Sequence, residues 1–75
     1  MKFRHALKVH NIQLLRDDEL FIKRLIVKHP KKSYEGILSN YVKEWLAGRE
    51  ACSNEIKKEN AGRYRANMWL LTFSR

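Results

Sequence analysis

The chain has 75 residues, sixteen of them Lys or Arg against eight Asp or Glu, for a formal net charge of +8. That length allows one small domain, residues 1–75, whose single core buries only roughly 60% of the unfolded surface. Cys52 is the one cysteine, which excludes a disulfide framework and fits a reducing, cytoplasmic setting.

The segment Phe3 to Leu15 supports two readings. Phe3, Leu7 and Leu14 suit one helix face, whereas Leu7-Lys8-Val9 and Ile12-Gln13-Leu14 alternate like two short strands around His10-Asn11. Helix is favoured, because a hairpin here has no third strand to join. Next, Asp17-Asp18-Glu19 places negative charge where a helix starts, with Asp17 able to cap. Phe21, Ile22, Leu25, Ile26 and His29 then form one stripe, with Lys23, Arg24 and Lys28 largely off it. Pro30 ends this helix, because the residue before a proline avoids helical geometry.

Ser33 is a good N-cap for a third segment, in which Tyr34, Ile37, Leu38, Tyr41, Trp45 and Leu46 describe one wide apolar face. Gly48 either stops this helix or sits inside one that continues through Glu50 and Cys52, at a cost of only ~1 kcal/mol. Residues 49–60 are polar apart from Ile56 and read as a loop or a solvated helical turn. A last helix, capped by Asn60, is expected to run through Tyr64, Met68, Leu71 and Phe73, with Trp69 and Leu70 widening its apolar face. The sequence thus predicts an all-α bundle of three or four helices, with a helix-turn-helix-like pair over 17–29 and 34–47.

No pattern names a reaction. There is no Gly-rich phosphate loop and no Ser-His-Asp arrangement, so neither an enzyme nor a small-molecule substrate is expected. His5 and His10 fall on different sides of a helix, and no Cys pair completes a zinc site. His29 reads as a helix-terminal group rather than a ligand, and Cys52 as a small apolar residue. Asp17, Asp18 and Glu19 serve a helix dipole, while Glu35, Glu44 and Glu59 read as solvated surface. No metal or cofactor is implied. Apolar runs such as Leu25-Ile26-Val27 and Met68-Trp69-Leu70-Leu71 are far shorter than the ~20 residues that span a bilayer.

The informative signal is the interleaving of basic and aromatic residues. One cluster is Lys23, Arg24, Lys28, Lys31 and Lys32, followed by Tyr34. A second is Lys57, Lys58, Arg63 and Arg65, with Tyr64 between the arginines. Lysines neutralise phosphates as point charges, and arginines do so bidentately while stacking on bases. These nine residues are the expected contacts to DNA or RNA, with solvation of a small domain as the simpler use of the same charge. In the helix-turn-helix-like pair, Ser39, Asn40 and Lys43 are placed to meet base edges, although Glu35 and Glu44 oppose a phosphate-lined groove. Arg63 and Asn67, at i and i+4, make the last helix an equal candidate for the contact surface. The rival is a protein-interaction module: a binder of an acidic host protein, or a homodimer closed through Trp45, Trp69 and Phe73.

One resemblance bears on this choice. Trp45-Leu46-Ala47-Gly48-Arg49, then Asn54, then Trp69-Leu70-Leu71-Thr72-Phe73, resembles the spaced signature of the ribosome modulation factor family and of small phage proteins like it. The likeness spans residues 41–73. It departs at Glu55, where a proline is expected, at Thr72 in place of glycine and at Phe73 in place of tryptophan. It implies a small, basic, helical, ribosome-binding protein, with Arg49, Trp69 and Phe73 at signature positions. In size and character the chain is also similar to accessory and regulatory proteins of phages and plasmids.

Overall fold

Three helices and the turns between them make up residues 16–73. In a computed structural model, which describes residues 7, 8 and 11–75, α1 runs Arg16–Ile26, a 3-10 turn covers Lys31–Ser33, α2 runs Tyr34–Ala51 and α3 runs Lys58–Phe73. No strand occurs among the described residues, and the small all-α bundle read from the sequence is the architecture observed. The helix-or-hairpin question at Phe3–Leu15 falls partly outside the described residues. Within them, Leu7 and Lys8 are helical and Asn11 sits at φ 60°. Asn11 N–H reaches the Lys8 carbonyl at 2.9 Å and Ile12 N–H the Leu7 carbonyl at 3.2 Å. This is the bond pair of a Schellman helix end, in which Asn tolerates the left-handed backbone.

The stripe of α1 packs as its spacing requires: Ile22, Leu25 and Ile26 are buried and Phe21 half-buried. Capping differs from expectation. The N-cap is Leu15, which has no acceptor. Asp18, three residues on, reaches back and accepts from Leu15 N–H at 3.1 Å, so Asp17 does not cap. Two turn bonds, Lys28 N–H to Leu25 and His29 N–H to Ile26, close the helix before Pro30.

Tyr34, Ile37, Leu38, Tyr41, Trp45 and Leu46 of α2 all face inward, fully or partly, joined by Val42. Ser33 stands at the N-cap position, but its side chain makes no capping bond, because the preceding 3-10 turn already feeds the helix with helical dihedrals. Helix α2 runs past Gly48 to Ala51. Close approach explains this glycine: a Cβ there would lie 2.8 Å from the Ala61 carbonyl oxygen and 3.0 Å from the Gly62 Cα. A six-residue turn, 52–57, follows. In it the Asn54 side chain accepts from Ile56 and Lys57 N–H at 2.9 and 3.3 Å. Asn54 therefore organises the entry to α3, and Asn60 lies inside the helix rather than at its cap.

The inward face of α3 is only partly the expected one. Leu70 is buried and Trp69 and Leu71 are half-buried against the core, whereas Tyr64, Met68 and Phe73 are exposed and Gly62 and Ala66 are buried instead. The small residues Gly62 and Ala66, one turn apart, let α3 lie close against α2: a Cβ on Gly62 would come within 2.6 Å of the Trp45 ring. Large side chains on that seam would hold the helices apart, so they turn outward. Helix α1 in turn packs chiefly on α3. No helix among the described residues is long and apolar enough to cross a membrane.

Candidate nucleic-acid interface

Some of the cations are bound up inside the bundle. Asp18 is 5% exposed, so its charge needs partners. It receives Arg63 Nε at 2.7 Å on one oxygen and Asn67 Nδ2 at 3.3 Å on the other. Asn67 Oδ1 accepts from the Tyr41 hydroxyl at 2.6 Å, and Arg63 Nη1 donates to Asn60 at 2.6 Å. The Arg63 guanidinium lies 5.1 Å from the Trp45 ring centroid, within cation–π range. Burial, and secondarily the Asp18 charge, pushes the Tyr41 phenol well above the usual tyrosine range. Arg63 and Asn67, expected on an outward contact face, instead join α3 to α1 and α2.

A second knot holds the other end of the helical pair. Arg49 Nη2 donates to Glu59 Oε1 at 2.8 Å and to the Asn11 carbonyl at 3.1 Å. Arg49 Nε lies 2.7 Å from Glu59 Oε2, an ion-pair distance, but its N–H does not point along that line and makes no hydrogen bond. Trp45 Nε1 donates to Glu59 Oε1 at 3.1 Å. The Arg49 bond is the main reason the Glu59 carboxyl is held below its ordinary value. Glu44 takes Arg65 at 3.2 Å. Glu44 and Glu59, read from sequence as solvated, are thus both committed to arginines.

The nine sequence-predicted contacts divide accordingly. Arg63 is internal. Arg65 pairs with Glu44, Lys58 with Glu55 at 2.8 Å, and Lys23 with Glu19 at 3.2 Å. The Glu55 hydrogen bond raises the Lys58 ammonium above its ordinary value. Among the described residues, Arg24, Lys28, Lys31, Lys32 and Lys57 are exposed and form no ion pair.

These five do not lie together. His29 Nε2 is 3.0 Å from Ser74 Oγ, and the His29 ring stacks on Phe73 at 5.1 Å. The His29 end of α1 therefore meets the C-terminal end of α3, while Lys57 precedes the other end. A helix of 16 residues puts roughly 24 Å between them. Lys57 and the Lys28–Lys32 group thus occupy opposite ends of the bundle, with Arg63 and Arg65 partway along α3. Lys28, Lys31 and Lys32 share the end where α2 begins, against one exposed carboxylate of its first turn, Glu35. The Lys57 end carries Glu50, Glu55 and Glu59 as well.

The Lys28–Lys32 end also carries aromatic rings. Phe73 stacks between His29 and Trp69, with ring separations of 5.1 Å and interplanar angles of 20° and 15°. Trp69 and Phe73 form one side of an open groove of about 510 Å³, and Ser33, Gly36, Ile37 and Asn40 form the other. No sequence signal pairs His29 with Phe73, 44 positions later. Lys31-Lys32-Ser33-Tyr34 places basic residues beside an aromatic one in sequence, but Tyr34 is half-buried support for the core. Of the three residues of the resemblance, Arg49 is bound to Glu59, whereas Trp69 and Phe73 belong to this stack. Trp45 is fully buried and offers nothing to a second copy. The chain matches no protein-family model, no curated protein and no solved structure.

Proposed function

We propose that the protein binds nucleic acid, free or within a ribonucleoprotein such as the ribosome, by setting Arg24, Lys28, Lys31 and Lys32 on successive phosphates. It would act in the cytoplasm as a small accessory or regulatory protein of the phage or plasmid kind. The observation that carries this reading is that these four cations, close in sequence, have no carboxylate partner among the described residues, while Lys23, Lys58, Arg63 and Arg65 each have one. The N-terminus of α2 at the same end adds the positive pole of an 18-residue helix. Lys57 is a separate, lesser contact at the far end.

Phosphate neutralisation releases counterions, so affinity must depend on salt. With three or four phosphates engaged, affinity for a labelled oligonucleotide should fall roughly 50-fold between about 50 and about 200 mM salt. Absence of binding at the lower salt would overturn the proposal. A second reading, a protein-interaction module, is favoured by Tyr64 and Met68, one turn apart on α3 and both exposed. Its signature is a doubled solution mass that nucleic acid leaves unchanged.

A further inference from the structure

From the groove beside these cations we infer that the ligand is single-stranded nucleic acid, with an unstacked base seated against Trp69 and Phe73. This deepens the phosphate-binding reading and rests on it. Phe73 already carries a ring on each side, so its exposed part is its edge; Trp69, partly exposed and lining the groove, is the ring that a further planar group can extend. Across the groove, a Cβ on Gly36 would have nothing within 4 Å, and the space there is open. Ser33 and Asn40, which also line the groove, make no side-chain hydrogen bond among the described residues. A hydroxyl and a carboxamide are therefore free to meet the polar edge of a base. Lys31 and Lys32 immediately precede Ser33, and Lys28 precedes the His29 that stacks on Phe73.

An aromatic platform beside a cationic track is what single strands require: the rings take the base faces and the lysines take the backbone. A duplex offers only base edges in its grooves, because its base faces are stacked on one another. Charge complementarity decides the occupant. An apolar peptide or a second copy, itself carrying +8, would leave Lys28, Lys31 and Lys32 unanswered.

The test compares oligo(dT) and oligo(U) of about 12 nucleotides with a duplex of the same length, read by anisotropy of the probe and by tryptophan fluorescence. Single strands should bind ~10-fold or more tighter than duplex and quench fluorescence, a quench that Trp69→Phe removes. Phe73→Ala, which removes the ring backing Trp69, should weaken single-strand binding by ~5- to 100-fold, as far as the loss of one base stack, with duplex binding changed less than about twofold. Because Phe73 also packs on the bundle, Gly36→Leu supplies an independent probe. It fills the open side of the groove, favours the helix and leaves every cation in place, and it should abolish the single-strand preference. Equal binding of single strand and duplex, unaffected by Phe73→Ala and Gly36→Leu, would overturn the base-stacking inference and leave phosphate docking standing. Failure to bind any probe overturns both. A dimer that Gly36→Leu converts to monomer would assign the groove to a second copy instead.

Discussion

Asp18 gathers more of the molecule than any other single side chain. It caps α1 through Leu15, holds Arg63 and Asn67 of α3, and through Asn67 reaches Tyr41 of α2. Deleting the carboxylate leaves a mostly buried guanidinium and an amide without their acceptor, which costs far more than the pair itself is worth. Asp18→Ala should lower unfolding free energy by about 3 kcal/mol, measured by urea titration at neutral pH. A change below about 0.5 kcal/mol, the scale of an ordinary surface substitution, would show that the network is ornamental. Glu59 makes a pH-dependent contribution. Its carboxyl is held below the ordinary 4.5 by Arg49, so its stabilisation is fully present above pH 4.5 and is lost as pH falls through the lowered value. The side chain is half-exposed, so solvent keeps the effect below about 1 kcal/mol. Glu59→Gln, which retains an acceptor for Trp45, should lower the neutral plateau by up to about 1 kcal/mol and flatten the acid limb of a stability–pH curve below pH 4.5 by the same amount. An unchanged acid limb would remove Glu59 from the pH dependence.

Between helices, the three glycines serve different ends, and alanine substitution separates them. At Gly62 a Cβ would lie 2.6–2.8 Å from Trp45 atoms, and at Gly48 2.8 Å from a carbonyl oxygen of α3. Overpacking of that kind typically costs about 1–3 kcal/mol and outweighs the ~1 kcal/mol that alanine gains in a helix. Gly36 has open space instead. Gly62→Ala and Gly48→Ala should therefore lower the melting temperature, and Gly36→Ala should raise it. The opposite order would mean that α2 and α3 do not meet at this seam. This seam also marks where the sequence is legible and where it is not. The faces of α1 and α2 follow directly from the spacing of Ile22, Leu25 and Ile26 and of Ile37, Tyr41 and Trp45, because large apolar residues there do face inward. In α3 the same rule points to Tyr64, Met68 and Phe73, but proximity to Trp45 favours Gly62 and Ala66, and the helix turns its bulk outward. Asp18 reads as one more first-turn acid because nothing local shows that Arg63, 45 positions later, will cover it.

At the scale of the whole molecule, net charge is a poor guide until each cation is matched with its carboxylate. The sequence shows a strong positive excess and two basic clusters. It does not show that pairing removes Lys23, Lys58, Arg63 and Arg65 from the excess, or that Lys28, Lys31 and Lys32 lie at the end of α3 opposite to Lys57. Nor does it show that His29, Trp69 and Phe73 meet, since that contact arises only when the C-terminal end of α3 returns to the end of α1. Position, not total charge, then decides where a polyanion docks. Two double charge reversals of equal net effect isolate that claim: Lys31→Glu with Lys32→Glu at the ring-bearing end, and Lys57→Glu with Lys58→Glu at the other. The second pair places acid at the start of α3, which a helix N-terminus tolerates. Affinity for a single-stranded oligonucleotide, measured for both at about 50 mM salt, should fall by ~30-fold or more for the first pair and by less than about threefold for the second. Equal losses from the two pairs would contradict a localised footprint and leave only diffuse attraction between a basic protein and an acidic polymer.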